Sequence, residues 1–133
     1  MSSFTETEIE YLKSQRLGRL ATVNEACEPH VVPVGFRYNA EFDSIDIGGR
    51  NFGRSRKFRD AVRRGLVAFV VDDVVAPRQP RGIEVRGRVE AFTTGGQEIV
   101  PGFDPEFIRV HLTRIVSWGI DSDAYHPHNR SVG

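Results

Sequence analysis

PHVVPVGFRYNAEFDSIDIGGRNFGRSRKFRDAVRR, residues Pro29 to Arg64, decides how the rest of the chain is read. His30, Val32, Val34, Phe36 and Tyr38 alternate along it, the period of a strand with one apolar face. Pro33 interrupts that strand. A proline cannot donate to a sheet ladder, so an edge or a bulge is expected there, with backbone open to a ligand. After a turn at Ala40 to Asp43, a short strand from Ser44 to Gly48 runs into Gly49. The glycine pair serves either a turn needing positive φ or a floor where a flat ligand meets bare backbone. Ser55 then caps a helix reaching Arg64, with Phe58, Ala61 and Val62 on one face and Gly65 to stop it.

Charge is concentrated in this same stretch. Arg50, Arg54, Arg56, Lys57, Arg59, Arg63 and Arg64 face a single acid, Asp60, in a chain with 18 basic and 18 acidic residues. Ser55, Arg56 and Lys57 fall in the helix's first turn, where unpaired N–H groups and the helix dipole favour an anion. The plainer alternative is a solvated basic face. A balanced total charge supplies no field for nucleic acid or an anionic membrane, so any anion site is local.

Upstream, Phe4 to Gln15 reads as a helix with Thr5 as N-cap, Glu8 completing a capping box, and Phe4 with Ile9 as a staple. Ile9, Leu12 and Leu17 form a thin apolar stripe, the mark of a flank rather than a core helix, and Gly18 is placed to end it. Arg19 to Val23 is a strand, followed by a turn containing Cys27. Downstream, LVAFVV (66–71) is apolar on both faces, as in a strand covered from both sides. Asp72 to Arg81, with Pro77 and Pro80, reads as an irregular surface loop. Gly82 to Phe92 alternates again, a Gly- and Pro-rich loop fills 93–105, and a last strand runs from Phe107 to about Ile120. Six strands with hairpin spacing and two peripheral helices predict a mainly β fold, an antiparallel barrel or half-barrel. Residues 1–120 form the domain; the polar tail 121–133 is expected to be poorly ordered unless a partner subunit pins it.

Other chemistries find little support. The 133 residues suit one domain, and 39% hydrophobic with 27% charged residues is ordinary for a globular protein. No apolar run approaches the roughly 18 residues of a membrane helix, and the N-terminus shows no basic region followed by an apolar one; a cytoplasmic protein is expected. Cys27 stands alone, excluding an internal disulfide and a cysteine-cluster metal site. His30, His111, His126 and His128 lack zinc-ligand spacing, so no metal is expected. There is no G-x-S-x-G elbow, no G-x-G-x-x-G after a strand and no Walker loop, and no residue stands out as catalytic acid, base or nucleophile. What remains is a site for a flat, phosphate-bearing ligand: Val32, Pro33 and Val34 as strand edge, Ile47, Gly48 and Gly49 as floor, and the cationic helix start.

RLGRLATV (16–23), PHVVPVGFRYN (29–39), DIGGRN (46–51), SRKFRD (55–60), VAFVVDD (67–73), PRGIEVRGRVEA (80–91) and PGFDPEFIRVHLTRIVSWGI (101–120) together resemble the pyridoxamine 5′-phosphate oxidase-like split β-barrel proteins. More narrowly, they resemble the branch of oxidoreductases that use the deazaflavin coenzyme F420. The resemblance implies a six-stranded antiparallel split barrel of the FMN-binding type. It implies a homodimer with two cofactor sites at its interface, acting on a small organic substrate. It further implies that Ser55, Arg56 and Lys57 hold phosphate with help from Arg50, that residues 32–34 and 47–49 meet the ring, and that Trp118 and Arg81 come from the partner subunit. The alternatives are an FMN-dependent enzyme on the same fold and a noncatalytic flavin- or haem-binding protein.

Overall fold

The computed structural model describes residues 2–133. Helix α1 (Glu6–Ser14) begins at Thr5, whose hydroxyl accepts the Glu8 N–H while the Glu8 carboxylate accepts the Thr5 N–H at 2.9 Å. Strands β1 (Leu17–Val23), β2 (Pro29–Asn39) and β3 (Ser44–Gly48) follow, then α2 (Arg56–Arg64), β4 (Leu66–Val75), β5 (Gln79–Phe92), β6 (Phe107–Trp118) and β7 (His128–Ser131). Strand order is β3-β2-β1-β4-β5-β6, and β6 pairs back onto β3. Six antiparallel strands thus close into the predicted split barrel, flanked by two helices, with β7 as an additional strand.

One long strand makes this closure possible. The first half of β6 pairs with β3 (Ile47↔Ile108, Ile45↔Val110), and its second half takes β7 (Arg114↔Ser131 to Ser117↔His128). A bulge at Arg86/Gly87 bends β5 against β6, and only glycine fits there, because a Cβ on Gly87 would sit 2.3 Å from the His111 carbonyl oxygen. Charge fixes the register at the seam. Asp46, fully buried, stands directly across from Arg109 and accepts from its Nε at 2.9 Å, from Asn39 Nδ2 at 2.8 Å and from Ser44 Oγ at 3.3 Å. The Arg109 guanidinium is stacked over Phe42, Phe92 and Phe107. A slip of one residue would leave both charges buried and unpaired, so this pair specifies closure. Phe52, Phe69, Leu20, Ile45, Ile47, Ile83, Ile108 and Ile115 fill the interior, each worth about 1.5–3 kcal/mol on full burial.

Four expectations need correction. Residues 72–81 are the far half of the β4–β5 hairpin, paired from Asp72↔Gly82 to Val75↔Gln79. They extend past the β1 and β6 pairings, so Pro80 faces only one neighbouring strand and removes no second ladder. The LVAFVV run is covered on one face only: Val67, Phe69 and Val71 are buried, whereas Leu66 is 62% exposed and Ala68 and Val70 are half-buried. Gly18 does not end α1; it lies within β1, where a Cβ would fall 2.1 Å from Phe69 Cζ. Leu17 accordingly leaves the α1 stripe, whose buried residues are Glu8, Tyr11 and Leu12. Finally, the tail is built into the fold. Arg130 pairs with the buried Glu8 and donates to the Ser3 carbonyl at 2.9 Å, and the Val132 N–H bonds the Thr113 carbonyl at 2.9 Å.

Candidate functional site

The edge expected at Pro33 is present. Residues 29–34 of β2 pair with β1 alone, because the β2–β3 ladder begins only at Gly35↔Gly48. The vacant side of β2 opens onto α2, the short 3-10 turn Phe52–Arg54 and the loop 93–105, and two cavities run along it. The larger, about 620 Å³, is lined by Gln15, Arg16, Leu17, Pro33, Val34, Gly35, Phe36, Gly48, Gly49, Arg50, Lys57, Val100 and Phe103. The smaller, about 290 Å³, is lined by Thr22, His30, Val32, Arg56, Lys57 and Asp60. Lys57 borders both, so the two cavities adjoin at that residue, the larger carrying Arg16, Arg50 and Lys57 and the smaller Arg56 and Lys57 beside Asp60.

Helix α2 is oriented by its caps. The Ser55 hydroxyl accepts the Phe58 N–H at 3.2 Å and donates to the Phe52 carbonyl at 2.6 Å, and Gly65 closes the other end in the left-handed conformation at φ 74°. Ser55 therefore commits its hydroxyl proton to the chain itself. Among the described residues, the N–H groups of Arg56 and Lys57 are left as the first turn's unfilled donors. The ion pairs of this helix involve Arg63, which reaches Glu25 at 2.9 Å and Asp60 at 3.9 Å, and leave Arg56 and Lys57 available to a ligand. The Lys57 ammonium lies over the Phe52 ring, 5.8 Å from its centroid.

Several predicted residues thus meet in one place: Pro33, Val34, Gly48, Gly49 and Arg50 around the larger cavity, Val32 and Arg56 around the smaller, Lys57 between them. Others do not. Ile47 has no exposed surface and belongs to the core. Arg81 is held by Asp73 through Nε at 2.8 Å and Nη2 at 3.1 Å and stacks on Tyr11; Trp118 packs over Gly82; neither borders the groove of its own chain. The floor at Gly48 is also not bare, since a Cβ there would meet Ile99 and Phe103 at 3.2 Å, and one on Gly35 would lie 2.5 Å from Phe103. Phe103 is seated by a bond from the Asp104 N–H to the Gly49 carbonyl at 3.0 Å. Residues 93–105 carry no regular strand signal and read from sequence as a connector; Phe103 and Val100 are nonetheless walls of the groove. Gly49 remains open, with Phe52 at 3.8 Å its nearest neighbour.

The larger cavity's titratable side chains are Arg16, Arg50 and Lys57, all cations. Tyr11, buried on α1 and outside both cavity linings, donates to Asp73 at 2.9 Å, and burial together with that bond pushes its pKa far above the ordinary tyrosine range. No group of three or more His, Cys, Asp or Glu among the described residues could hold a metal ion, and no helix there is long and apolar enough to cross a membrane.

A closed split barrel with an open strand edge feeding a basic helix start defines a class, and comparison with known proteins gives it a family. The chain belongs to the pyridoxamine 5′-phosphate oxidase-like split β-barrel family. It is 49% identical over 122 residues to a 5a,11a-dehydrotetracycline/5a,11a-dehydrooxytetracycline reductase of Streptomyces rimosus, covering 90% of this chain and 86% of that protein, a kinship that makes it an oxidoreductase. Among solved structures, an FAD binding protein from Mycobacterium smegmatis superposes with a TM-score of 0.65 at 21% identity over 86% of this chain and 95% of that one. A protein from Lactobacillus delbrueckii assigned as a pyridoxamine 5′-phosphate oxidase does so with 0.65 at 19% identity, over 84% and 92%. At such identities these two share the fold alone. No family model matches the chain.

Proposed function

We propose that the protein is a reductase dependent on coenzyme F420, acting on an electron-poor double bond of a polycyclic substrate akin to that of the Streptomyces rimosus reductase. One observation carries the reading: a cavity along an unpaired strand edge, walled by Pro33, Val34, Phe36 and Phe103, meets at Lys57 a second cavity bounded by the start of α2. That sequence of surfaces fits a planar ring followed by a phosphate. Pro33, Val34, Gly49 and Phe103 would bound the ring, while Lys57, Arg56, the free first-turn N–H groups and Arg50 would hold phosphate. When bound, the deazaflavin supplies the hydride for the reduction. The chain's own part is to position the reactants and exclude water. Among the described residues, no carboxylate, histidine or tyrosine lines the larger cavity, and Arg16 at its mouth favours substrates bearing acidic enols.

A homodimer completes the reading. The half of β4 that faces outward, Leu66, Ala68 and Val70, adjoins an apolar cavity of about 430 Å³ bordered by Ala21, Val23 and Pro29. A second copy covering that face would bury what the LVAFVV run is built to bury and would bring Trp118, which lies over Gly82 on the same face, to the seam. FMN remains the second cofactor reading, favoured by the likeness to an FAD binding protein. Titration of the apo protein with F420 and with FMN, followed by fluorescence, decides between them. Tighter binding of F420, with F420-dependent reduction of a dehydrotetracycline, is expected; retention of FMN alone would replace the deazaflavin, and ligand binding without turnover across substrates would define a binding protein.

A further inference from the structure

Asp60 is the one acid between Arg50 and Arg64, and the fold buries it: it is 3% exposed, and its Oδ2 has no hydrogen-bond partner among the described residues. A buried carboxylate with an unfilled oxygen is costly to a fold. Helical spacing puts it three residues after Lys57 and four after Arg56, on their side of α2. All three line the 290 Å³ cavity with Thr22, His30 and Val32. The charged or titratable groups around it are Arg56, Lys57, Arg59 and Arg63 on α2, His30 on β2 and Glu25 on the β1–β2 turn, which draws Arg63 away at 2.9 Å.

We propose that Asp60 trims the anion preference of this cavity, weakening a doubly charged phosphomonoester more than a singly charged phosphodiester. The inference rests on the cofactor reading above. FMN ends in a phosphomonoester, which carries about −1.5 to −2 near neutral pH, whereas the phosphate of F420 lies within a diester and carries a single charge. The carboxylate's field acts on each in proportion to its charge. For groups sharing one small cavity, a unit of ligand charge is weighted by about fivefold in affinity. Asp60 thereby distinguishes two cofactors whose rings the groove treats alike.

The test measures Kd for F420 and FMN by fluorescence at pH 8 and fixed ionic strength, in the unaltered protein, Asp60→Asn and Asp60→Ser. Removing the charge should tighten F420 by about fivefold and FMN by about twenty-five-fold, shifting the preference about fivefold toward FMN. Equal tightening of the two, or none, in a variant that keeps the parent melting temperature overturns the proposal. A competition measurement gives a second readout: methyl phosphate should gain about fivefold over dimethyl phosphate as a displacer of F420 on going from the unaltered protein to Asp60→Asn, and an unchanged ratio overturns the proposal. Lys57→Ala separates the two claims. Undiminished affinity for both cofactors in that variant refutes the phosphate cradle itself, whereas tenfold losses there with an unshifted preference in Asp60→Asn refute only the role of Asp60.

Discussion

Replacing Arg130 with alanine tests whether the tail is part of the fold. Glu8 is fully buried at the start of α1, and its carboxylate is satisfied by Arg130 and by the Thr5 N–H at 2.9 Å. Removing one partner of a buried ion pair costs about 3–5 kcal/mol. Here the loss is smaller, because the Arg130 side chain is 31% exposed, water can follow it, and the Thr5 bond remains; about 2–3 kcal/mol is expected. A chain of 133 residues unfolds with an entropy of about 0.28 kcal/mol per kelvin, so Tm should fall by about 7–11 °C. The assay is circular dichroism melting at one protein concentration, since subunit association would shift Tm with concentration. Glu8→Gln and the double variant complete a cycle, in which the double variant should lose less than the sum of the singles by about 1 kcal/mol or more. A drop under about 2 °C for Arg130→Ala, or an additive cycle, would show that the tail merely rests on the helix and that the contact contributes nothing to holding α1 in place.

Gly49→Leu places a side chain in the open space beside Phe52; cofactor affinity should fall at least about tenfold while Tm moves by less than about 2 °C, as fluorescence titration and melting of the same sample would show. Leu66→Glu should leave the protomer folded and convert a dimer into a monomer in sedimentation, because it puts a charge on the apolar face of β4. Stability should also fall in acid in a defined way. Burial pushes the Asp43 carboxyl up, but bonds from the Ser2 hydroxyl, the Ser3 N–H and the Tyr38 hydroxyl outweigh it and hold the group below the usual carboxylate range. A depressed folded value contributes stability above the unfolded value of about 3.9, and that contribution is lost as pH falls through the lower folded value. Asp43→Asn, which tolerates the left-handed backbone at φ 50°, should therefore lose stability at neutral pH and show a shallower decline below about pH 4 in melts across pH.

What was legible in the sequence was whatever depends on neighbours in the chain. The Thr5 capping box, the Ser55 cap with Gly65, the β2 alternation and the free edge at Pro33 are all set within a few residues, and each is found where local chemistry puts it. What was hidden depends on partners far away. HNRS (128–131) carries no apolar alternation, and becomes β7 only because Glu8, 122 residues earlier, gives Arg130 a buried counter-charge and β6 has a vacant half-edge. Phe103 could not be assigned to the groove for the same reason: its place over Gly35 and Gly48 depends on a bond from Asp104 to Gly49, far apart in the chain. Gly18 misled in the opposite direction, since its requirement is steric contact with Phe69 rather than a helix stop.

The β4 run is the instructive discrepancy. Six apolar residues in a row imply two covered faces, and the protomer covers one, leaving Leu66 62% exposed on the other. An exposed apolar strand face of this kind is the mark of an interaction surface, and the proposed dimer would supply its cover. Trp118, expected to serve the partner's groove, lies on this face through the register Asp72↔Gly82↔Trp118, whereas Arg81, opposite Asp73, lies on the other. The proposed contact between two copies through β4 would cover the apolar face and bring Trp118 to the seam; a chain that sediments as a monomer would refute it.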